Sequence, residues 1–445
     1  MTTTCATNKT EYFHEIPPIK YEGPGSSNPL AYRYYQKDKV ILGKSMEEHL
    51  RLAVCFWHTF NWNGSDTFGG ATFDRPWPQV AVNIDDAIER VHAAFAFMGK
   101  LGLPFFTFHD RDIAPEGSSI AESRDNLFRV VDVVAEKMNR NGIKLLWGTA
   151  NLFSHRRFMA GAATNPDPDI FAYAAAQVKN ALDATAQLKG CNYVLWGGRE
   201  GYETLLNTNM KQEAEQLARF LAMTVDYKHK IGFQGPLLIE PKPCEPTKHQ
   251  YDRDVATVFA FLQKYGLEKE FKVNIEVNHA TLAGHTFYHE IVYALSNGIF
   301  GSIDANRGDP LLGWDTDQFP LDISESALAL YAILKNGGFN SGGFNLDTKL
   351  RRQSIDIADM FIGHICAADT LARGLLVAEK LLARDFLEEF KGQRYRKWND
   401  PFGKSILKGD VSLEEIATAA ESIEEPIPYS GQQERLEHQL SSYLL

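Results

Sequence analysis

The hydrophobic positions of this chain fall into eight short runs that alternate with longer amphipathic segments. Most runs are continuously apolar and rich in β-branched or aromatic residues, which is typical of strands buried on both faces of a parallel sheet. We predict strands at residues 52–60, 104–110, 143–150, 193–198, 235–241, 271–277, 300–306 and 343–347.

Between these runs, apolar residues recur at the spacing of helices. They form one stripe along residues 83–100 and another along residues 119–140, which stops at Gly142, and residues 252–266 repeat the pattern. Eight strands that alternate with helices indicate the α/β class and a (β/α)8 TIM barrel. A doubly wound parallel sheet is the alternative, but no glycine-rich nucleotide-binding motif follows any predicted strand.

The pattern changes at both ends of the chain. Residues 1–45 are rich in Pro, Gly and Tyr and predict an irregular N-terminal extension with one short helix at most. Residues 46–384 carry the predicted catalytic barrel. From residue 385 onward, prolines and glycines divide the chain into short Glu-rich helices without a partner element. We therefore predict that residues 385–445 form an extended, mostly helical arm that packs on another subunit.

Composition narrows the range of partners and compartments. A chain of 445 residues can fold as one barrel with extensions. The net charge of −11 and the pI of about 5.7 disfavour nucleic acid and anionic membranes as partners. The five cysteines are scattered and the first fifteen residues are polar, so we expect a cytoplasmic protein without a secretory signal. No apolar run approaches the length of a membrane span.

The sixth predicted strand presents a carboxylate and an imidazole at its C-terminal end. Glu276 and His279 lie three residues apart, directly after a run of alternating apolar and polar residues. Such a pair at the mouth of a barrel can hold a divalent metal. The stretch alone also allows a salt-bridged Glu276 and a His279 that caps the next helix.

Carboxylates recur at or after the ends of the last four predicted strands, where barrel enzymes carry their chemistry. The set is Glu240, Glu276, Asp304, Asp315, Asp317 and Asp347. Six like charges cannot share one cavity without counter-charge. Two divalent cations and Lys242 would leave about one negative charge, whereas a single metal would leave about three. The count favours two ions of Mg²⁺, Mn²⁺ or Co²⁺, with Glu276 as the simplest bridge.

Other candidate residues stand at the ends of the earlier strands. His109 precedes Asp112 by three residues, so the carboxylate could hold one ring nitrogen and leave the other free as acid or base. A helix-capping Asp112 beside a packed His109 explains the same spacing. Trp57, Phe153 and Trp196 could wall a dry sugar pocket or belong to the barrel core.

Eight sequence blocks, in this order, resemble the D-xylose isomerase family, in its class with an N-terminal extension. The blocks are FWHTF at 56–60, TFHDRD at 107–112, WGTAN at 147–151, WGGRE at 196–200, IEPKP at 239–243, NIEVNH at 274–279, GWDTD at 313–317 and GFNLD at 343–347. The resemblance runs from about residue 30 to the end. It implies a homotetrameric aldose–ketose isomerase that interconverts D-xylose and D-xylulose, and also D-glucose and D-fructose.

The resemblance also implies a mechanism, in which a hydride shifts between C1 and C2 of the opened sugar with the help of two metals. One metal would be held by Glu240, Glu276, Asp304 and Asp347. The other would be held by Glu276, His279, Asp315 and Asp317. His109, oriented by Asp112, would assist ring opening, and Lys242 would hydrogen-bond the carbonyl oxygen. Asp317 would poise the water that moves the hydroxyl proton.

Substrate contacts follow from the same resemblance. The residues that would line the sugar pocket are Trp57, Thr149, Phe153 and Trp196. Phe68 would reach into the active site of a neighbouring subunit, in agreement with an oligomer held partly by the C-terminal arm. The partners expected are therefore a small-molecule sugar and further copies of the chain.

Two other interpretations stay open on the residues alone. A different metal-dependent barrel, such as another aldose–ketose isomerase or an endonuclease-IV-like hydrolase, would use a similar rim. The hydrolase needs a basic groove and more histidine ligands, which the net charge and the single ligand His279 disfavour. A non-catalytic sugar- or metal-binding barrel would be expected to lack Lys242, His109 or the bridging carboxylate, and this sequence has all of them.

Overall fold

The computed structural model describes residues 12–444 and contains a closed eight-stranded barrel. Its strands, β1 to β8 in chain order, are Ala53–Cys55, Phe105–His109, Lys144–Thr149, Asn192–Trp196, Leu237–Glu240, Phe271–Glu276, Phe300–Asp304 and Phe344–Leu346. Each strand pairs in parallel with the next, and β8 pairs in parallel with β1. The predicted (β/α)8 barrel is confirmed, and the doubly wound alternative is wrong.

Amphipathic helices follow the strands in the order that a parallel barrel requires. The longer ones are Ile84–Leu101, Ile120–Asn141, Pro168–Gln187, Met210–Lys230, Val255–Tyr265, Phe287–Ser296, Ile323–Lys335 and Ile357–Arg384. Shorter helices occupy Met46–Leu50, Asp110–Ile113 and Val277–Leu282. Three of the helices end at glycines with positive φ, namely Gly102, Gly142 and Gly266. The three helical segments predicted from periodicity are confirmed to within three residues.

The first strand is shorter than the sequence predicts. β1 ends at Cys55, and Trp57–Asn61 form one π-helical turn in which Trp62 N–H donates to the carbonyl oxygen of Trp57. The predicted strand over residues 52–60 is therefore wrong beyond Cys55. Turns of this type often interrupt regular structure at functional sites, and this one lies at the C-terminal end of β1.

The N-terminal residues that the structure describes pair locally. Lys20–Tyr21 pair in parallel with Ala31–Tyr32, and Val40–Ile41 pair in antiparallel with Lys44–Ser45. No helix lies within residues 12–45, so the short helix that the sequence allows is not found in this described part. The first helix begins directly afterwards, at Met46.

The chain divides into two compact units, Met1–Leu375 and Leu376–Leu445. The first unit holds the barrel. The second continues the helix after β8 and adds Phe386–Arg394, Pro401–Lys408, Leu413–Ala420 and Gln433–Ser441, so the predicted short helices are confirmed. Large apolar side chains of this unit are exposed, including Leu407, Leu413 and Ile427. The division of the chain at residues 45 and 384 and the packing on another subunit stay predictions.

Among residues 12–444, one helix is long and apolar enough to cross a membrane by length and composition alone. It is Ile357–Arg384, and 67% of its most apolar window is buried inside the protein. The expectation that no apolar run approaches a span is therefore wrong for this segment. The burial is that of a helix packed in a protein core, and apolar core helices commonly have such a composition.

Candidate active site

A cavity of about 500 Å³ opens at the C-terminal ends of the barrel strands. Every predicted site residue except Phe68 lines it. These residues are Trp57, His109, Asp112, Thr149, Phe153, Trp196, Glu240, Lys242, Glu276, His279, Asp304, Asp315, Asp317 and Asp347. Phe68 lies in a turn closed by Asp66 and Gly69, and its side chain is 92% exposed.

Four carboxylates stand at the ends of four consecutive strands. Glu240, Glu276 and Asp304 are the last residues of β5, β6 and β7, and Asp347 follows β8. Glu276 and Asp304 lie opposite each other in the register of β6 with β7. Because the strands are parallel, their carboxyl ends meet at one rim, and the structure brings these four side chains together there.

Glu276 is the common member of two carboxylate triads. Its oxygens lie within 4.8 Å of ligand atoms of Asp304 and Asp347 on one side and of Asp315 and Asp317 on the other. The last two residues come from the loop after β7, where Asp317 adopts a left-handed backbone conformation with φ of 44°. Two triads that share one carboxylate have the arrangement of a pair of cation sites with a bridging ligand.

Burial gives these carboxylates unusual acidities. Burial raises the pKa of Glu240 and Glu276 well above the usual range, and Asp304 and Asp315 respectively add to the effect. Burial likewise raises the pKa of Asp347, with help from Glu276, and it raises the pKa of Asp304 to about 6. Burial makes the negative charge of these carboxylates unfavourable, and bound cations would neutralise that charge. Because most of the donor atoms are oxygens, hard divalent cations suit the site.

His279 is the imidazole closest to the shared carboxylate. Its Nε2 lies 2.9 Å from Glu276 Oε2 and 3.1 Å from Asp315 Oδ2. Its Nδ1 lies 3.7 Å from Glu240 Oε1, so the ring also faces the carboxylate at the end of β5. The alternative in which His279 caps the next helix is wrong, because it is the third residue of Val277–Leu282 and Glu276 occupies the N-cap position.

Asp112 holds His109 by both its backbone and its ring. The Oδ2 atom of Asp112 accepts the backbone N–H of His109 at 2.7 Å and lies 2.8 Å from the ring Nδ1. The capping and ring-orienting interpretations are therefore both correct for this carboxylate. A carboxylate acceptor favours the tautomer with the proton on Nδ1, which leaves Nε2 as the ring nitrogen able to take up a proton.

Lys242 is a buried cation inside the cluster. Its Nζ lies 2.9 Å from Asp315 Oδ2 and 3.2 Å from Glu245 Oε2, and 5.4 Å from the centroid of the Trp196 ring. Burial alone would lower the pKa of Lys242, but Asp315 and the other acids outweigh burial and raise it. Burial would raise the pKa of Asp315, but Lys242 and His279 outweigh burial and hold this pKa well below the usual range. Both shifts favour the charged forms of Lys242 and Asp315.

Aromatic rings form one wall of the cavity. Trp57 packs against His109 with ring centroids 4.6 Å apart, and Phe153 packs against Trp196 at 4.4 Å. The indole Nε1 of Trp57 also donates to Asp347 Oδ1 at 2.7 Å. Trp57 thus belongs to the pocket wall and to the carboxylate cluster at once.

Two further basic residues near Asp317, His58 and Lys349, are not among the site residues predicted from the sequence. His58 Nε2 lies 3.2 Å from Asp317 Oδ2 and 3.4 Å from Asp347 Oδ1, and Lys349 Nζ lies 2.8 Å from Asp317 Oδ2. Burial lowers the pKa of His58 although Asp317 acts to raise it. Burial would also lower the pKa of Lys349, but Asp317 outweighs it and raises this pKa. With Lys349 included, two divalent cations would bring the cluster to about neutral.

The chain is similar to known proteins over nearly its whole length. A xylose isomerase from Pseudomonas savastanoi pv. phaseolicola is 59% identical over 434 residues, which cover 97% of this chain and 99% of that protein. A xylose isomerase from Paraburkholderia xenovorans is 60% identical over 428 residues, which cover 96% of this chain and 97% of that protein. The chain belongs to the xylose isomerase family.

The match extends to the C-terminal unit. Residues 391–444 match the family described as the XylA2 C-terminal domain. Among solved structures, the chain is similar to L-ribulose 3-epimerase, with 13% sequence identity and a TM-score of 0.45 over 76% of this chain and 97% of that one. At that level of similarity nothing about activity follows. Membership of the xylose isomerase family rests on the full-length relatives.

Proposed function

We propose that this chain is an aldose–ketose isomerase that interconverts D-xylose and D-xylulose, and D-glucose and D-fructose, by a 1,2-hydride shift after ring opening. The observation that carries the proposal is the position of Glu276 in two carboxylate triads at the barrel mouth. Two cation sites that share one carboxylate would lie side by side, so that both ions could polarise oxygens of one bound sugar. The aromatic wall beside it suits the apolar face of a sugar.

Two divalent metal ions per subunit fit this donor set, and Mg²⁺, Mn²⁺ and Co²⁺ are the candidates. The residues proposed to hold one ion are Glu240, Glu276, Asp304 and Asp347. The residues proposed to hold the other are Glu276, His279, Asp315 and Asp317. When bound, the ions supply Lewis acidity to the two sugar oxygens that exchange the carbonyl.

The chain's own groups move the protons. His109, with its Nδ1 tied to Asp112, transfers a proton between the anomeric hydroxyl and the ring oxygen as the sugar opens. Lys242 donates a hydrogen bond to the carbonyl oxygen of the open chain. Asp317 positions the water that accepts the proton of the C2 hydroxyl and returns it to the oxygen on C1. The hydrogen on C2 moves to C1 with its electron pair, so no external oxidant or reductant is required.

Product analysis of the purified protein tests this proposal directly. D-xylose, D-glucose and L-rhamnose would each be incubated with the protein under Mg²⁺, Mn²⁺ and Co²⁺, and the ketoses identified by chromatography. We expect D-xylulose from D-xylose, and no ketose from a Glu276→Gln variant that lacks the shared carboxylate's charge. Conversion of L-rhamnose without conversion of D-xylose would assign the site to a different aldose–ketose isomerase.

A ring-opening role for His109 predicts a dependence on substrate size. His109→Gln is expected to lower kcat/KM for D-xylose by about 10²- to 10⁴-fold, the usual contribution of acid–base catalysis. The same variant should change turnover of D-glyceraldehyde little, because three carbons cannot close a five-membered ring. His249→Gln, at an exposed histidine outside the cavity, serves as the control. Equal losses on both sugars would place His109 in a step after ring opening.

We further propose a cytoplasmic homotetramer in which Phe68 of one subunit completes the sugar pocket of another. The exposed position of Phe68 in its own subunit supports this arrangement, since it lines no part of that subunit's cavity. The acidic net charge supports the absence of nucleic acid and membrane partners. The exposed apolar side chains of residues 376–445 support a role of this unit in assembly.

Deletion of residues 386–445 is expected to weaken assembly and leave the barrel folded. The cut falls after the helix Ile357–Arg384, so every barrel strand and the helix after β8 stay intact. We expect a smaller sedimentation coefficient at micromolar protein together with cooperative thermal unfolding by circular dichroism. An unchanged sedimentation profile would assign assembly to the barrel instead.

A further inference from the structure

Four neutral donors surround the carboxylates that end β5 to β8. They are three amides and one indole, on side chains that lie in or directly after β6, β7, β8 and β1. The bonds are Asn274 Nδ2 to Glu240 Oε2 at 2.9 Å, Asn306 Nδ2 to Glu276 Oε1 at 2.7 Å, Asn345 Nδ2 to Asp304 Oδ1 at 2.9 Å and Trp57 Nε1 to Asp347 Oδ1 at 2.7 Å. Each donor therefore reaches back to the carboxylate of the preceding strand.

The protein fixes the orientation of two of these amides. Asn345 Oδ1 accepts the hydroxyl of Thr107 at 2.7 Å, and Asn306 Oδ1 accepts the backbone N–H of Asn278 at 2.9 Å. An amide whose oxygen is engaged by a donor presents its NH₂ group on the other side. All three asparagines are at most 3% exposed, so water does not compete for these bonds.

The donors are neutral, and this matters for a site that must attract cations. A lysine or arginine at the same positions would orient the carboxylates equally well but would cancel part of their negative charge. Amides and an indole keep the full charge of the four carboxylates for the metal. The carboxylates in the loop after β7 differ in this respect. Asp315 pairs with Lys242 and Asp317 pairs with Lys349, so both have a positively charged neighbour.

We propose that Asn274, Asn306, Asn345 and Trp57 form a ring of positioning residues that aligns the carboxylates of one metal site. This inference rests on the two-metal site proposed above. The donor groups of Asn274, Asn345 and Trp57 bond to carboxylates that are proposed to hold that first metal. Asn306 is the exception, because its amide also lies 3.3 Å from Asp317 Oδ1 and its main partner is the bridging Glu276. Asn274, Asn345 and Trp57 therefore act on the first metal site alone. Asn306 acts on both metal sites, through Glu276 and Asp317.

Cobalt titration of the full-length protein tests this assignment. After chelation and dialysis, Co²⁺ binding would be followed by calorimetry and by visible absorption, which distinguishes an all-oxygen site from one with an imidazole. Asn345→Leu is expected to weaken the all-oxygen site by about 10- to 100-fold and to leave the second site unchanged. Asn306→Leu is expected to weaken both sites.

A matched control separates positioning from general destabilisation. Asn192 is a fully buried asparagine in β4 that bonds only to neutral groups, namely the carbonyl oxygens of Leu146 and Ser341 and the hydroxyl of Ser341. Asn192→Leu should lower the melting temperature and change neither Co²⁺ site. If a leucine variant fails to fold, the smaller Asn345→Ala and Asn306→Ala variants give the same readout.

The outcomes distinguish this inference from the proposed function. Fewer than two Co²⁺ ions per subunit in the unmodified protein would overturn the two-metal site itself. Two ions per subunit, with Asn345→Leu no different from Asn192→Leu or with equal weakening of both sites, would overturn only the ring of positioning residues. Selective weakening of the all-oxygen site by Asn345→Leu supports both.

Discussion

Exhaustive removal of divalent cations is expected to abolish aldose–ketose conversion by the full-length protein. Glu276 and its neighbouring carboxylates are buried together. Without bound cations the site has no Lewis acid to polarise the sugar oxygens or to activate a water. The loss should be at least about 10³-fold, since metal-assisted charge stabilisation is the main effect available to this site. Readdition of Mg²⁺, Mn²⁺ or Co²⁺ to the chelated protein should restore D-xylulose formation.

The experiment has a second readout in stability against pH. Burial raises the pKa of Asp304 from 3.8 to about 6. A raised carboxyl pKa stabilises the fold while the group is protonated, and that contribution is lost as pH rises from about 4 through about 6. Cations replace the lost protons, so the difference in Tm between Mn²⁺-loaded and chelated protein should be larger at pH 7 than at pH 5. The metal site would be refuted by full activity in chelator together with a Tm difference between Mn²⁺-loaded and chelated protein that is the same at pH 7 and pH 5.

The barrel could be predicted because a buried parallel strand has a simple sequence pattern. Both faces of such a strand are covered, so the apolar run is continuous and stands out between amphipathic helices. The same simplicity explains the error at β1. Large apolar residues continue with Phe56, Trp57 and Phe60 after the strand ends at Cys55, although Trp57–Asn61 form a π-helical turn. Hydrophobicity alone cannot separate these two conformations.

The carboxylates of the site could be predicted because topology, and not local sequence, brings them together. A closed parallel barrel places every strand end on one rim, so acidic residues at the ends of β5 to β8 must converge. The asparagines could have been found by the period of a strand. Asn274 precedes Glu276 by two residues, Asn306 follows Asp304 by two, and Asn345 precedes Asp347 by two, so each pair points to one face.

Other parts of the site carry no local signal. Lys349 and His58 lie close to Asp317, whose backbone is left-handed in the loop after β7. Asp is one of the few residues that tolerate this conformation, but tolerance does not predict it. The charge balance predicted from the sequence therefore leaves out Lys349. Two metals are favoured over one with or without the charge of Lys349.

Lys242→Met is expected to lower kcat by about 10²- to 10³-fold and to leave the protein folded. Removal of one preorganised donor to a developing oxyanion has an effect of this size. Lys242 is 4% exposed and its ammonium lies 2.9 Å from Asp315, so the methionine replaces a buried charge with an apolar chain of similar volume. Steady-state kinetics with D-xylose at saturating Mn²⁺ gives the measurement, and Lys179→Met, at a half-exposed lysine paired with Asp183, is the control.

Metal binding by the same variant separates the two roles that Lys242 could have. If the ammonium only balances the charge of the carboxylates, its loss should tighten Co²⁺ binding and leave kcat near that of the unmodified protein. If it bonds the carbonyl oxygen, kcat should fall although Co²⁺ binding is kept or tightened. Near-normal turnover would mean that Lys242 is structural and that the carbonyl is polarised by the metals alone.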